Sequence, residues 1–281
     1  MSLPTAEPFF PLPTGSAGTE RVDAALPRPT IIGVSTKMYL GYSATRTWIY
    51  AIRHAVDERP ELAAANVRPF VIPSFPLLPS ALNSFEGTTV VTGAQNASWQ
   101  DGPVTGEVSP GLLAEMGVRI VEIGHAERRS QFGETDEVVR LKTTAVLASG
   151  ITPLLCVGEP SRSTVDAAVE YVVDQVLSAL EDPTQLGSLV LAYEPVWAIG
   201  APAPAEPAYV NEVVRSLRIT LSERTGVLAD SVRVIYGGSA GPGLLAQLPE
   251  VDGLFLGRFA HDPANFATVL DEALARNASR A

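Results

Sequence analysis

Ser188-Leu189-Val190-Leu191-Ala192-Tyr193-Glu194-Pro195-Val196-Trp197-Ala198-Ile199-Gly200 holds the pattern that decides the fold. The first six residues form an apolar run and predict a strand over Ser188–Tyr193. Downstream, residues Ala208–Arg224 place apolar side chains at i, i+3, i+4 and i+7, the spacing of a half-buried helix. A second apolar run, Val232–Tyr236, follows. Strand, helix, strand is the unit of a parallel sheet.

Working outward, the same rhythm fills the chain from residue 30. The other predicted strands are Ile31–Thr36, Pro69–Pro73, Thr88–Ala94, Val118–Ile123, Thr152–Val157 and Gly253–Leu256. Helical patterns lie over Ala44–Val56 and Thr164–Leu180. No shift in composition splits the chain into two domains. Eight units in one domain predict an α/β fold, a closed (β/α)8 barrel, over 30–281. Residues 1–29 hold six prolines with Gly15, Ser16 and Gly18, and are expected to be an extended or disordered arm. A packed arm at an oligomer contact is the other reading.

The bulk properties narrow the function. With 281 residues, 46% of them hydrophobic, and a mean hydropathy of +0.17, the chain can bury a sizeable core. A formal charge of −11 repels nucleic acid, and no nucleic-acid partner is expected. An anionic substrate would need a local positive field. The one cysteine, Cys156, rules out an internal disulfide and suits a reducing compartment. It sits in an apolar run and reads as core. Met1-Ser2-Leu3-Pro4 opens with neither a basic region nor a long apolar run, so neither a signal peptide nor a membrane span is expected. A cytoplasmic location is the expectation. The histidines His54, His125 and His261 are scattered, so no metal site is expected.

In such a barrel the chemistry belongs where strands end and loops begin. Lys37, Asn96, His125, Glu194, Gly237–Ser239 and Gly257-Arg258 all fall there. Glu194 closes an apolar strand and precedes the stiff Pro195-Val196-Trp197 hinge. A general base is built this way: held on a rigid element and sealed by a loop. Its plainer reading is a rim salt-bridge partner. Lys37 can aim an ammonium into the mouth, or be a solvated surface lysine. His125 opens a helical stretch, where the dipole disfavours added positive charge and keeps the imidazole neutral. It can polarise a carbonyl, or simply cap the helix. Glu127 can pair with Lys37 or with its basic neighbours, or suit the first turn. Arg128 and Arg129 read as scaffold. Gly237-Gly238-Ser239 and Leu256-Gly257-Arg258 can bring backbone N–H groups to a phosphate, or be ordinary turns. Trp197 anchors the hinge by packing.

Together these stretches resemble the triosephosphate isomerase family over about residues 30–275. The segments that carry the likeness occur in the family's order: Gly93-Ala94-Gln95-Asn96, Thr105-Gly106-Glu107-Val108-Ser109-Pro110, Gly124-His125-Ala126-Glu127-Arg128-Arg129, Phe132-Gly133-Glu134-Thr135, Cys156-Val157-Gly158-Glu159, the Glu194 stretch and Tyr236-Gly237-Gly238-Ser239. The resemblance implies a TIM barrel and an intramolecular oxidoreductase, an isomerase of phosphorylated sugars that works without cofactor. Lys37 would be its cation, His125 its electrophile, Glu194 its base and Glu127 a supporting carboxylate. Ser35 would border the substrate, and the backbone at Gly200, Ser239 and Gly257 would hold its phosphate. A homodimer through the loop Asn96–Gly106 is implied, with Thr105 reaching towards the neighbour's site.

Four features depart from the family. Ser35 stands where an asparagine is usual and Thr36 where a tryptophan is usual. The lid reads Ala201-Pro202-Ala203-Pro204-Ala205, whose prolines fix φ and lack N–H groups. Arg258 replaces a glycine and could add a bidentate phosphate contact or narrow the pocket. The default expectation is interconversion of glyceraldehyde 3-phosphate and dihydroxyacetone phosphate, as in glycolysis and gluconeogenesis. The alternative, which Ser35 and the run Asp252–Arg258 resemble, is the branch acting on L-erythrulose 1-phosphate and D-erythrulose 4-phosphate, as in erythritol catabolism. A third reading is a sugar-phosphate-binding protein whose lid is frozen by Pro202 and Pro204.

Overall fold

The computed structural model describes residues 28–280. Almost all of the proline-rich arm lies outside those residues. Eight parallel strands close into a ring in chain order: β1 (Thr30–Ser35), β2 (Val67–Ile72), β3 (Val91–Ala94), β4 (Ile120–Ile123), β5 (Thr152–Val157), β6 (Val190–Tyr193), β7 (Arg233–Tyr236) and β8 (Gly253–Leu256). The ring is sealed where Ile31 meets Gly253 and Val34 meets Leu256. The helices are α1 (Tyr42–Asp57), α2 (Leu78–Phe85), α3 (Pro110–Met116), α4 (Ala126–Phe132), α5 (Asp136–Ala148), α6 (Val165–Ser178), α7 (Pro207–Thr225) and α8 (Pro263–Ala278). The expected (β/α)8 barrel is therefore present, with two variations. Two helices follow β4. After β7, only a short 3₁₀ turn, Leu245–Gln247, stands in the helix position. The run Gly237-Gly238-Ser239-Ala240-Gly241-Pro242-Gly243 explains the missing helix, because glycine and proline are the poorest helix formers.

The strands are buried on both faces, so they read as continuous apolar runs. Outward residues such as Val34, Val71, Ile123, Leu191 and Leu254 pack beneath the helices. Inward residues such as Ile31, Phe70, Ile120, Leu154, Val190 and Phe255 form a second cluster that plugs the barrel. Phe70 and Phe255 stack with ring centroids 5.7 Å apart. Gly33 makes that possible: a Cβ there would lie 1.9 Å from Phe70 Cζ.

Several strands begin later than the apolar runs suggest. β3 starts at Val91, not Thr88, because Thr88 turns back through its own hydroxyl: Oγ1 donates to Phe85 O and accepts from Val90 N. β4 starts at Ile120, not Val118. Gly117 ends α3 with φ 99°, and Val118 N–H reaches back to Leu113 O, so Val118 belongs to the helix exit.

Candidate active site

The nine residues given a catalytic or substrate-binding role from the sequence (Ser35, Lys37, His125, Glu127, Glu194, Gly200, Ser239, Gly257 and Arg258) border one cavity of about 700 Å³ at the C-terminal mouth of the barrel. That is the size range of a small-molecule site. Lys37 follows β1 in a left-handed conformation, φ 47°, where a non-glycine residue is strained. Gln95 Nε2 donates to its carbonyl at 2.9 Å and holds the turn. The ammonium donates to Glu127 Oε1 at 2.6 Å. Burial works to lower its pKa, but the bond to Glu127, with the charges of Glu194 and Glu122 beyond, outweighs burial and holds it above the usual lysine value. Lys37 is thus a permanent cation in the mouth of an acidic protein.

His125 caps α4: its Nδ1 accepts from Glu127 N–H at 3.0 Å. A ring nitrogen that accepts carries no proton in the neutral imidazole, so the proton sits on Nε2. The plain capping reading and the functional reading are therefore the same geometry, since capping through Nδ1 aims Nε2–H into the barrel. Nε2 faces two carboxylates beyond bonding distance, Glu194 Oε2 at 3.6 Å and Glu122 Oε1 at 3.9 Å.

Glu194 follows β6, with its N–H bonded to Val157 O at 2.8 Å. The side chain is buried, and Oε2 has no partner. Gly237 gives it room: a Cβ there would lie 2.5 Å from Glu194 Oε1. Behind it, burial pushes the Cys156 thiol well up, and the nearby carboxylates add to that. The cysteine is core, as its apolar setting predicts.

The opposite wall consists of the lid and the loops after β7 and β8. Ser239, with φ 52°, donates to the carbonyls of Ala198 and Ala201 at 3.0 and 2.9 Å. Tyr236 hydroxyl accepts from Ala205 N–H at 2.9 Å. Arg258 reaches Gly200 O at 3.3 Å, so its guanidinium spans from β8 to the lid. Among the described residues, no hydrogen bond uses the backbone N–H of Gly200, Ser239 or Gly257. These amides suit an anion.

Other placements differ from expectation. Asn96 turns away from the mouth: its Oδ1 accepts from buried Lys142, which also bonds Glu134 at 2.5 Å. Trp197 does more than pack, since Nε1 donates to Glu159 Oε1 at 2.9 Å. Tyr193 and Tyr209 hydroxyls converge on the same carboxylate. Arg128 pairs with Glu134, and Arg129 with Asp136 and Gly124 O, which makes both scaffold. Glu122 escaped notice in the sequence. Its signal was a charge inside an otherwise apolar strand, Ile120-Val121-Glu122-Ile123.

A closed parallel barrel whose C-terminal rim brings together Lys37, His125 and Glu194 defines a TIM-barrel enzyme. Residues 30–273 match the family model for triosephosphate isomerase. The chain belongs to that family and is an isomerase of phosphorylated sugars. It is 50% identical over 251 residues to the L-erythrulose-1-phosphate isomerase of Pectobacterium atrosepticum, covering 88% of this chain and 96% of that protein. It is 38% identical to the triosephosphate isomerase of Thermus thermophilus, covering 86% of this chain and 98% of that one. The crystal structure of triosephosphate isomerase from Bartonella henselae matches with a TM-score of 0.74 at 28% identity, covering 89% of this chain and 99% of that chain.

Proposed function

We propose that this isomerase acts on tetrulose phosphates, interconverting L-erythrulose 1-phosphate and D-erythrulose 4-phosphate. The carrying observation is the difference in likeness: 50% identity to an L-erythrulose-1-phosphate isomerase against 38% to a triosephosphate isomerase of matched coverage. This favours the alternative substrate over the triose pair expected by default. Ser35 and Arg258 support the same reading.

The geometry suits the reaction. The substrate's phosphate binds the amides of Gly200, Ser239 and Gly257, with Arg258 beside them. Its C2 carbonyl accepts from His125 Nε2–H. Glu194 removes the proton from C3, and the electron pair moves through an enediolate to O2. Lys37 balances that developing charge. His125 passes a proton between O2 and O3, and Glu194 returns the carbon-bound proton to C2. C3 is oxidised and C2 reduced within one skeleton, so the electrons balance without a co-reactant. The lid closes over the intermediate. The protein works as a cytoplasmic homodimer through the loop Asn96–Gly106.

The test is kcat/KM for L-erythrulose 1-phosphate and glyceraldehyde 3-phosphate, measured in parallel. Efficient tetrulose turnover beside feeble triose turnover is the expected result. The reverse ranking rejects the proposal, and no turnover of either restores the binding-protein reading.

A further inference from the structure

Glu122 is a buried carboxylate just beneath the mouth, beside Ser35, which lines the cavity where Glu122 itself does not. It sits on an inward position of β4 and is 4% exposed. Its Oε2 has no hydrogen-bond partner, and neither has the buried Ser35 Oγ. The two groups lie close enough that Ser35 helps to hold the Glu122 charge, yet no directed bond joins them. Burial, with Glu194 adding to it, pushes the carboxyl up to about 6 against the pull of His125 and Lys37. A buried carboxylate oxygen left without a donor is costly.

Placement says what it faces. In the ring of eight strands, β4 stands opposite β8, which carries the Gly257-Arg258 side of the mouth. His125 Nε2 lies 3.9 Å from the Glu122 carboxylate and 3.6 Å from Glu194. Resting on the tetrulose-phosphate reading, consider a substrate whose phosphate is at the β7–β8 wall. Its carbonyl meets His125 and its C3 meets Glu194. The fourth carbon, a hydroxymethyl group on C3, then points away from the phosphate towards β4 and β1. A triose phosphate carries only hydrogen there.

We propose that Ser35 and Glu122 form the subsite for that hydroxymethyl group and set the preference for four-carbon substrates. One hydroxyl satisfies both orphans, since it accepts from Ser35 Oγ and donates to Glu122 Oε2. Ser35 lines the cavity, so the hydroxyl enters the subsite from the Ser35 side. Glu122→Val removes the acceptor and Ser35→Ala the donor. Glu122→Leu, closer in size to glutamate and also without an acceptor, serves where the valine variant folds poorly.

The readout is the ratio of kcat/KM for L-erythrulose 1-phosphate to that for dihydroxyacetone phosphate. It is independent of the fraction of active protein. Losing a hydrogen bond to a substrate hydroxyl should lower the ratio by about 10- to 100-fold in each variant. A change of less than about twofold, with both substrates slowed together, overturns the subsite and leaves the substrate reading standing. A wild-type protein that does not turn over L-erythrulose 1-phosphate overturns both.

Discussion

At the level of single residues, the site rests on a division of charge. Lys37 stays protonated because Glu127 holds it, and Glu194 keeps one oxygen unbonded because His125 stands 3.6 Å off. Glu194→Gln should lower kcat by about 10³-fold or more, as expected for loss of a positioned base, while inorganic phosphate still binds as a competitive inhibitor. Activity within tenfold of wild type would place the base elsewhere. On the proposed mechanism the Lys37 charge serves both bound substrate and enediolate, so Lys37→Met should damage KM and kcat together; a change in KM alone would contradict the second role. Glu122 gives a stability signature. Its carboxyl is raised from 4.5 to about 6, so ionisation favours the unfolded chain. Below pH 4.5 both states are protonated and there is no penalty. It grows between pH 4.5 and 6, and above that it reaches about 2 kcal/mol. Urea unfolding of Glu122→Gln should therefore gain on wild type by that amount between pH 4 and 7.5. A constant difference across that window would mean the carboxyl titrates normally.

Among the elements, the inner layer is the least tolerant. Gly33→Ala would place a methyl group inside the Phe70 ring, and the rigid stack with Phe255 cannot yield cheaply. A loss of about 2 kcal/mol or more is expected in denaturant unfolding. Tyr236→Phe keeps the core but removes the acceptor for Ala205 N–H, which should loosen the lid and lower kcat/KM about fivefold to tenfold. The elements also mark what was legible beforehand. Strands such as Thr152–Val157 and Gly253–Leu256 match their apolar runs to the residue, because burial on both faces leaves an unmixed signal. The starts of β3 and β4 were hidden, since Thr88 and Val118 are good strand formers taken up by a turn and a helix exit. Lys37, His125 and Glu194 were legible from their place at strand ends. Glu122 was not: a charge inside an apolar strand marks it, but nothing local shows which way it faces, and its neighbours Ser35 and His125 come from other elements.

For the molecule as a whole, buried charge is concentrated in networks away from the mouth. Arg218 Nη2 bonds Asp252 at 2.5 Å, and Lys142 ties Asn96, at the root of the loop after β3, to Glu134 beside α4. Lys142→Met would strip a partner from the buried Glu134 carboxylate and free the loop root. Arg128 still pairs with Glu134, so a loss of about 1–3 kcal/mol is expected, together with, on the proposed homodimer, a shift towards single chains of 29.7 kDa in sedimentation velocity. A variant that stays fully associated and equally stable would separate this network from assembly. Closure of the mouth also has a consequence for spectroscopy. The indole of Trp197 is half-buried at the lid hinge and bonded to Glu159, whereas Trp48 is sealed in the core with its N–H on Ala260 O. Lid opening would change the polarity around one tryptophan and leave another untouched. Intrinsic emission should therefore follow each opening event once the exposed third tryptophan, Trp99, is replaced by Phe, with Trp48 as a constant background.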